Sequence, residues 1–312
     1  MNLIQHNVPL NDKNWFKTGG AARFFAQPVN AQEFQDACAF AQQNSLPIFV
    51  LGEGANVLIS DDGFDGLVIR PFLKQINHEI VDEKTALVHA GAGVTINDLI
   101  EYCFVHNLSA LEEFSGIPGT VGGSVYINLH YFEFLLDQFL VSAQVIERET
   151  GIIKTVSPEW FNFAYDFSTL HDEKHYLVNA TFKTKRISEL ETAFAQGRRT
   201  EIMRHRFKRY PTANTCGSFF RNFLPHEIEH ERTGVKLPYI AYYLDKIGVK
   251  GKLSVGDAIV SHQHANMIIN RGNATSTDII NLAQKMRELV HKEFNLKPHA
   301  ECRLIGFRNL II

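Results

Sequence analysis

The sequence Ser115-Gly-Ile-Pro-Gly-Thr-Val-Gly-Gly-Ser-Val-Tyr-Ile-Asn128 is the stretch around which the rest of this chain is organised. Its four glycines surround one proline, and the strand-like run Ser-Val-Tyr-Ile follows at once. Glycine permits positive φ and has no Cβ, so the backbone amides of such a stretch can come within hydrogen-bond reach of a bulky anion. The stretch therefore indicates a site for a phosphate-bearing cofactor, although a glycine-rich turn between two elements has the same composition.

Earlier in the chain, the loop Gly52-Glu-Gly-Ala-Asn56 lies between the strand-like runs 49–51 and 57–60. We call it the first glycine loop, and the stretch 115–128 the second glycine stretch. The consecutive amides of the first glycine loop can form an anion-binding nest. It is not the dinucleotide fingerprint of a Rossmann fold, because the third glycine is missing and the segment that follows is apolar and β-branched where an amphipathic helix would be needed. Two such loops predict a pyrophosphate cofactor held between two small lobes.

Composition places the chain among globular proteins of two or three domains. It has 312 residues, of which 45% are hydrophobic and 21% are charged. The net charge of -3 argues against a nucleic-acid-binding protein. The first residues carry no basic and apolar leader, and no apolar run is long enough to span a bilayer. We therefore expect a cytoplasmic protein with neither a membrane nor a nucleic-acid partner.

Cysteine and histidine spacing gives no indication of a metal site. The four cysteines are widely separated, with no Cys-x-x-Cys pair, which is typical of reduced thiols in the cytoplasm. The fourteen histidines include no set that a cysteine or carboxylate would complete as a zinc site. The prediction is a protein without a bound metal.

The pattern of elements predicts three regions, at residues 1–70, 71–203 and 204–312. Residues 1–16 read as irregular, Asn30 caps a helix that ends near Asn44, and Thr95 caps a helix over 96–106. A hairpin is predicted around Thr150-Gly151 and a charged helix from Ser188 to about His205. The basic run 204–209 is typical either of a solvated helix end or of a phosphate cradle. Residues 216–222 read as a strand.

In this order the motifs resemble those of the MurB family, the FAD-dependent UDP-N-acetylenolpyruvoylglucosamine reductases. The resemblance covers nearly the whole chain, and it rests on the segments 17–20 (Lys-Thr-Gly-Gly), 51–59 (Leu-Gly-Glu-Gly-Ala-Asn-Val-Leu-Ile), 116–123 (Gly-Ile-Pro-Gly-Thr-Val-Gly-Gly), 217–222 (Gly-Ser-Phe-Phe-Arg-Asn), 244–251 (Leu-Asp-Lys-Ile-Gly-Val-Lys-Gly), 264–266 (His-Ala-Asn) and 301–306 (Glu-Cys-Arg-Leu-Ile-Gly).

The resemblance implies an α+β fold, in which a two-lobed FAD-binding domain of the vanillyl-alcohol-oxidase (PCMH) type is followed by a C-terminal α+β substrate-binding domain. It implies that NADPH reduces the FAD, and that the reduced flavin delivers hydride to the enolpyruvyl double bond of a UDP-linked amino sugar. The product is the UDP-N-acetylmuramate of peptidoglycan synthesis, and the family is typically monomeric.

The resemblance also implies roles for individual residues. Ser218 matches the serine that protonates the substrate, and Glu301 matches the glutamate beside the substrate carboxylate. Arg209 and Asn222 match positions that bind the diphosphate and uridine side of the substrate. The positions implied to bind the cofactor are Gly52, Glu53, Gly54, Ala55, Asn56, Val57, Ile117, Pro118, Gly119, Gly122, Gly123 and Ser124.

Two departures from the family pattern bear on catalysis. The family has Tyr-Arg-x-Ser where this chain has Tyr165-Asp166-Phe167-Ser168, so an aspartate stands in place of a cation that stabilises the substrate carboxylate. After Asn128, two small glycines of the family are His130 and Glu133. Three functions stay open on the sequence: the family reductase, a flavin- or nucleotide-sugar-binding paralogue without the reductase step, and a flavin enzyme with another acceptor.

Overall fold

A computed structural model of the chain describes residues 3–228 and 237–307, which form two compact units. Unit 1 takes in the residues up to His6, Phe24–Glu53 and Asp65–Arg206. Unit 2 takes in Asn7–Arg23, Gly54–Phe64 and the described residues from Phe207 onward. Both helices and strands occur in each unit, so the expected α+β class is confirmed.

The described residues contain seven α-helices and seventeen strands. The helices are α1 Ala31–Gln43, α2 Ile96–Val105, α3 Val121–Tyr126, α4 Glu189–Arg209, α5 Pro225–Ile228, α6 Ile240–Ile247 and α7 Ser276–Phe294. The strands are β1 Ile4–Pro9, β2 Ala21–Ala26, β3 Ile48–Val50, β4 Val57–Ile59, β5 Phe64–Ile69, β6 Ile76–Ile80, β7 Thr85–Gly91, β8 Leu108–Ser109, β9 His130–Tyr131, β10 Phe134–Leu135, β11 Leu140–Glu147, β12 Ile153–Val156, β13 His175–Arg186, β14 Ser254–Val255, β15 Ala258–Val260, β16 Ile268–Asn270 and β17 Arg303–Ile305.

Unit 1 is built on an antiparallel sheet with the strand order β12-β11-β13-β7-β6, which β8 joins by pairing with β13. The twelve-residue strand β13 alternates toward a core that includes Val178, Ala180 and Phe182. Burial of that apolar face is the main source of stability for such a sheet. Strands β1, β2, β5 and β3 form a second sheet, in which β3 and β5 are parallel.

The predicted helix starts of unit 1 are confirmed by their caps. Asn30 Oδ1 accepts the Glu33 amide at 2.9 Å, and Thr95 Oγ1 accepts the Asp98 amide at 3.0 Å. Each cap satisfies an amide that the first helical turn leaves without a partner. The hairpin around Thr150-Gly151 is also confirmed, as β11 and β12 pair antiparallel.

Unit 2 has its own core, between helices α6 and α7 and the antiparallel strands β14-β15-β16. Helix α7 begins at a capping box in which Thr275 Oγ1 accepts the Asp278 amide at 3.0 Å. Strand β17 pairs parallel to β4, so that Arg303 lies beside Val57. This pairing brings the end of the described chain next to the end of the first glycine loop.

Three expectations about local structure were wrong. Residues 4–9 form strand β1, although their sequence reads as irregular. The run Ser124-Val-Tyr-Ile is not a strand, because residues 121–126 form helix α3. Residues 216–222 form no continuous strand, because their pairing with other segments is limited to isolated bridges at Ser218 and Phe220 and to the single hydrogen bonds described below.

Helix α3 forms against its own sequence preference. β-Branched residues and glycine are weak helix formers. Two tertiary contacts compensate, because the Val121 amide donates to Val94 O at 2.8 Å and the Gly122 amide donates to Ala92 O at 2.9 Å. Val125 is fully buried in the unit 1 core. Tertiary packing therefore decides the conformation of this segment.

The predicted division into three regions, 1–70, 71–203 and 204–312, stays a prediction. Unit 1 ends at Arg206, close to the predicted boundary between residues 203 and 204. Among the described helices, none combines the length and the apolarity that crossing a bilayer requires.

Candidate functional site

The first glycine loop joins β3 to β4, and its glycines stand where a side chain would collide. A Cβ on Gly52 would lie 2.7 Å from Thr120 Oγ1. Gly54 has φ +70°, and a Cβ there would lie 2.5 Å from Asn14 Cα. Both positions therefore need glycine for close approach, and Gly54 needs it also for its conformation.

The amides of the first glycine loop are available to a ligand. Within residues 3–228 and 237–307, no protein acceptor takes a hydrogen bond from the amides of residues 52–56. Asn56 Oδ1 is buried and likewise has no partner in the described protein. Successive amides with this freedom form an anion-binding nest. These residues fit the pyrophosphate of a dinucleotide cofactor.

The second glycine stretch differs from the expectation, because protein acceptors take most of its amides. The Gly123 amide donates to the Thr120 side chain at 3.2 Å and the Ser124 amide to Thr120 O at 2.8 Å, while the Val121 and Gly122 amides are engaged as described above. The Ile117 amide donates to Phe114 O. A cofactor-binding role for this stretch thus stays a prediction, and free backbone amides are not the feature that supports it. The residues concerned are Ile117, Pro118, Gly119, Gly122, Gly123 and Ser124.

The two glycine stretches meet through one side chain. Glu53 Oε2 accepts the Gly119 amide at 2.7 Å, although the two residues are 66 positions apart in sequence. Gly119 has φ +144°, which L side chains rarely adopt. The Glu53 carboxylate therefore connects the loops within unit 1. This use of Glu53 as a connector was not predicted from the sequence, which indicated only a loop position.

Ser218 and Glu301 lie on two adjacent segments of unit 2. Phe219 O accepts the Glu301 amide at 2.9 Å and the Cys302 amide at 3.2 Å, and Phe220 bridges antiparallel to Ala300. Ser218 itself bridges to Met267 on its other side. The structure thus brings the two predicted catalytic residues onto neighbouring backbone segments.

The thiols on these segments are also neighbours, since Cys216 and Cys302 are in hydrogen-bond contact. Burial raises the pKa of the Cys216 thiol, and the nearby Cys302 thiol and Glu301 raise it further. The Cys216 thiol is therefore a protonated, structural side chain.

The predicted substrate residues Arg209 and Asn222 also belong to unit 2. Arg209 is exposed at the end of α4, where the predicted charged helix is confirmed and extends to this residue. Asn222 Oδ1 accepts the Ile240 amide at 3.4 Å, at the start of α6. The Asn222 side chain is thus oriented by the first turn of that helix.

Glu227 secures the backbone beside Asn222. Arg221 donates two hydrogen bonds to its carboxylate, at 2.7 and 2.8 Å, and His299 Nε2 lies 3.6 Å away. The Arg221 hydrogen bonds lower the pKa of Glu227 to about 2. Glu227 was not predicted from the sequence, although an acid three residues after Leu224 and near Pro225 is typical of a helix start.

A neutral histidine lies beside the Arg209 region. The ring of Tyr210 is 5.3 Å from that of His264, and the Arg209 guanidinium is 5.7 Å from the Tyr210 ring. Burial lowers the pKa of His264 to about 4, and the Arg209 charge lowers it further. His264 is therefore uncharged at neutral pH, and Arg209 supplies the positive charge there.

The two departures from the family pattern contact each other in unit 1. His130 Nδ1 lies 3.6 Å from Asp166 Oδ1, and their side chains are 29% and 14% exposed. Asp166 has φ +53° at the tip of a turn closed by Ala164 and Phe167, and the Tyr165 ring lies 4.8 Å from that of His130. The aspartate and the histidine that differ from the family pattern therefore lie side by side.

Two arginines, Arg206 and Arg221, are candidates to replace the missing family cation, and they have different surroundings. Arg221 is engaged with Glu227, as described above. Arg206 belongs to unit 1, where its guanidinium lies 5.3 Å from the ring of Tyr131, the residue after His130. Its aliphatic stem lies 3.3 Å from where a Gly116 Cβ would be. Of the two, Arg206 is the cation next to the segment that carries His130.

In the described ranges, no cluster of three or more His, Cys, Asp or Glu could hold a metal.

Comparison with known proteins agrees with this arrangement. Residues 22–157 match the family described as "FAD binding domain", and residues 209–305 match "UDP-N-acetylenolpyruvoylglucosamine reductase, C-terminal domain". The chain is 33% identical to the UDP-N-acetylenolpyruvoylglucosamine reductase of Acaryochloris marina, over 97% of this chain and 93% of that one. It is 30% identical to the Lactobacillus helveticus reductase, over 97% and 95%.

A solved structure shows the same fold. The crystal structure of UDP-N-acetylenolpyruvylglucosamine reductase (MurB) from Thermus caldophilus superposes with a TM-score of 0.76 at 26% identity, covering 96% of this chain and 98% of that one. Because sequence identity of 30% or more extends over nearly the whole length of both relatives, this chain belongs to the UDP-N-acetylenolpyruvoylglucosamine reductase (MurB) family.

Proposed function

We propose that this chain reduces the enolpyruvyl group of UDP-N-acetylenolpyruvoylglucosamine to the lactyl ether of UDP-N-acetylmuramate, with FAD as cofactor and NADPH as the source of hydride. The observation that carries the proposal is that one chain holds a match to an FAD-binding domain and a match to the reductase C-terminal domain, in the order of its full-length relatives. This similarity favours the reductase over a paralogue without the reductase step.

The first glycine loop supports FAD binding. Its free amides at residues 52–56 would hold the FAD pyrophosphate, and the Glu53 bond to Gly119 would keep the second glycine stretch beside it. When bound, FAD supplies hydride transfer chemistry. The protein contributes the placement of the cofactor and of the groups that move the proton.

Ser218 is the proposed proton donor. Hydride addition to one alkene carbon leaves negative charge on the carbon next to the carboxylate, and a proton from the Ser218 hydroxyl completes the saturated product. Serine is a poor acid in water, so its effectiveness depends on fixed position and on stabilisation of the developing charge. Glu301, in its protonated form, is the proposed donor to the substrate carboxylate, since a neighbouring carboxylate disfavours its ionisation.

Arg209 and Asn222 are proposed to bind the nucleotide end of the substrate. Arg209 is exposed and charged, so a diphosphate can pair with its guanidinium, and the neutral His264 near it leaves Arg209 as the source of positive charge there. Asn222 is already oriented by the start of α6. The absence of a membrane-crossing helix among the described residues supports the proposed cytoplasmic location.

The proposal has to accommodate Asp166, because an anion near the substrate carboxylate opposes the charge that develops there. Losing one preorganised donor costs about 10²–10³ in rate. His130 Nδ1 lies 3.6 Å from Asp166 Oδ1, and Arg206 adds a cation beside Tyr131. We propose that these two side chains moderate the charge reversal in this protein.

An anaerobic spectroscopic titration tests the function. The FAD-loaded protein is first reduced with NADPH until the visible flavin absorbance is lost, and UDP-N-acetylenolpyruvoylglucosamine is then added. Return of the oxidised spectrum, with one UDP-N-acetylmuramate formed per flavin, is the expected result. Reduction without reoxidation would leave a flavin protein with another acceptor, and protein that takes up no FAD would refute the proposal altogether.

A further inference from the structure

Asn266 makes the hydrogen bonds that a neighbouring strand would otherwise make to the segment after Ser218. Its Oδ1 accepts the Phe220 amide at 3.1 Å, and its Nδ2 donates to Phe220 O at 2.7 Å. Its main-chain carbonyl accepts the Phe219 amide at 2.8 Å. One residue therefore satisfies three consecutive polar groups of the segment that follows Ser218, across 46 positions of sequence.

The Phe219 carbonyl accepts the Glu301 amide. Asn266 fixes the position of this carbonyl, because it accepts the Phe219 and Phe220 amides on either side of it. Displacement of the segment would consequently move Ser218 directly and Glu301 through the Phe219 carbonyl. The side chain of Asn266 is 2% exposed, so water does not replace its hydrogen bonds when they are lost.

We propose that Asn266 is a positioning residue for the proton-transfer step, holding the Ser218 and Glu301 segments in register without contacting the substrate. The inference rests on the proposed function. A carboxamide suits the position, because at every pH it presents one acceptor and one donor side by side to the amide and the carbonyl of Phe220. A carboxylate of the same shape offers two acceptors.

The test is Asn266→Asp in the FAD-loaded protein, with the two half-reactions measured separately by stopped-flow absorbance. Both rates are measured at alkaline pH, where the new carboxyl is ionised and places an oxygen without a proton opposite Phe220 O, which repels the segment that carries Ser218. Flavin reduction by NADPH is expected to stay within about threefold of wild type, whereas reoxidation by the enolpyruvyl sugar is expected to slow about 10²-fold, the size of effect that an ångström of misplacement produces.

Asn270→Asp is the matched control. Asn270 is also buried, lies four residues along the same segment, and donates from Nδ2 to Phe16 O at 2.8 Å, away from residues 218–220 and 300–302. It therefore loses an equivalent hydrogen bond. A merely structural role for Asn266 predicts that both variants lose thermal stability and neither changes the ratio of the two half-reaction rates.

The outcomes separate the inference from the function on which it rests. Wild-type protein that is reduced but not reoxidised overturns the proposed function. A functional wild type with an Asn266→Asp variant that is reoxidised at a normal rate overturns the inference alone. Should the variant fail to bind FAD, hydrogen exchange of the Phe219 and Phe220 amides in the wild-type holoenzyme decides, because exchange as fast as in exposed loops contradicts the hydrogen bonds that the inference requires.

Discussion

The bond from Gly119 to Glu53 makes a sharp prediction about FAD affinity. Glu53→Ala removes the only side chain seen to connect the two glycine stretches within the described part of unit 1. A hydrogen bond to a charged group contributes about 1.5–3 kcal/mol, and the structure gives this one a short separation of 2.7 Å. Tenfold in affinity corresponds to about 1.4 kcal/mol. The FAD dissociation constant should therefore rise by up to about 100-fold, because the lost bond can change the affinity by at most its own contribution and the lost negative charge offsets part of that.

Glu53→Gln separates the hydrogen bond from the charge. Glutamine keeps an acceptor for the Gly119 amide, at a neutral hydrogen-bond strength of about 1 kcal/mol. It also removes a negative charge from the loop proposed to hold the FAD pyrophosphate, which offsets part of that loss. We therefore expect Glu53→Gln to bind FAD within about fivefold of wild type.

Isothermal titration of the flavin-free protein with FAD measures both variants. Glu33→Ala is the control, because Glu33 also accepts a backbone amide in unit 1, that of Val29 at 3.0 Å, at the start of α1. It should leave FAD affinity unchanged. If Glu53→Ala binds FAD as tightly as wild type, or if both Glu53 variants bind it more tightly, the carboxylate is not a connector that supports the cofactor site.

Three other substitutions test the site. Ser218→Ala should leave flavin reduction by NADPH intact and slow reoxidation by the enolpyruvyl sugar about 10²- to 10⁴-fold in stopped-flow traces; equal slowing of both steps would contradict the proton-donor role. Asp166→Asn removes an anion and should speed reoxidation by up to about tenfold, whereas a slower reaction would show that the carboxylate assists. Glu227→Gln should cost about 1–2 kcal/mol in urea unfolding at pH 7, since solvent screens part of the Arg221 pair. Because the folded pKa of Glu227 is depressed to about 2 from its ordinary value of 4.5, this difference should be complete above about pH 4.5 and vanish toward pH 2. A difference independent of pH would contradict the prediction.

Local chemistry made several elements predictable. The starts of α1 and α2 follow from Asn30 and Thr95, whose side chains satisfy an amide three residues onward whatever the rest of the chain does. The hairpin around Thr150-Gly151 follows from a turn sequence between two apolar runs. The family and the residues that match its motifs were likewise predictable, because the motifs occur along this sequence in the family's order.

Helix α3 and strand β1 show where local rules fail. The glycines and β-branched residues of α3 favour other conformations, and the segment is helical because Val94 and Ala92 accept its first amides and the core buries Val125. Strand β1 has little apolar alternation, and it is a strand because of its place in the sheet next to β2. Hydrogen bonds to distant backbone outweigh propensities of under about 1 kcal/mol per residue.

The sequence was therefore sufficient for the family, the α+β class and the capped helices, and the catalytic roles of Ser218 and Glu301 stay predictions from it. It could not show that Glu53 connects the glycine stretches or that His130 lies beside Asp166. Nor could it show that the amides of the second stretch are already engaged. These contacts join residues far apart in the chain, and nothing in the local pattern of either partner specifies the other. Their formation depends on the packing of whole elements, which only the folded chain brings together.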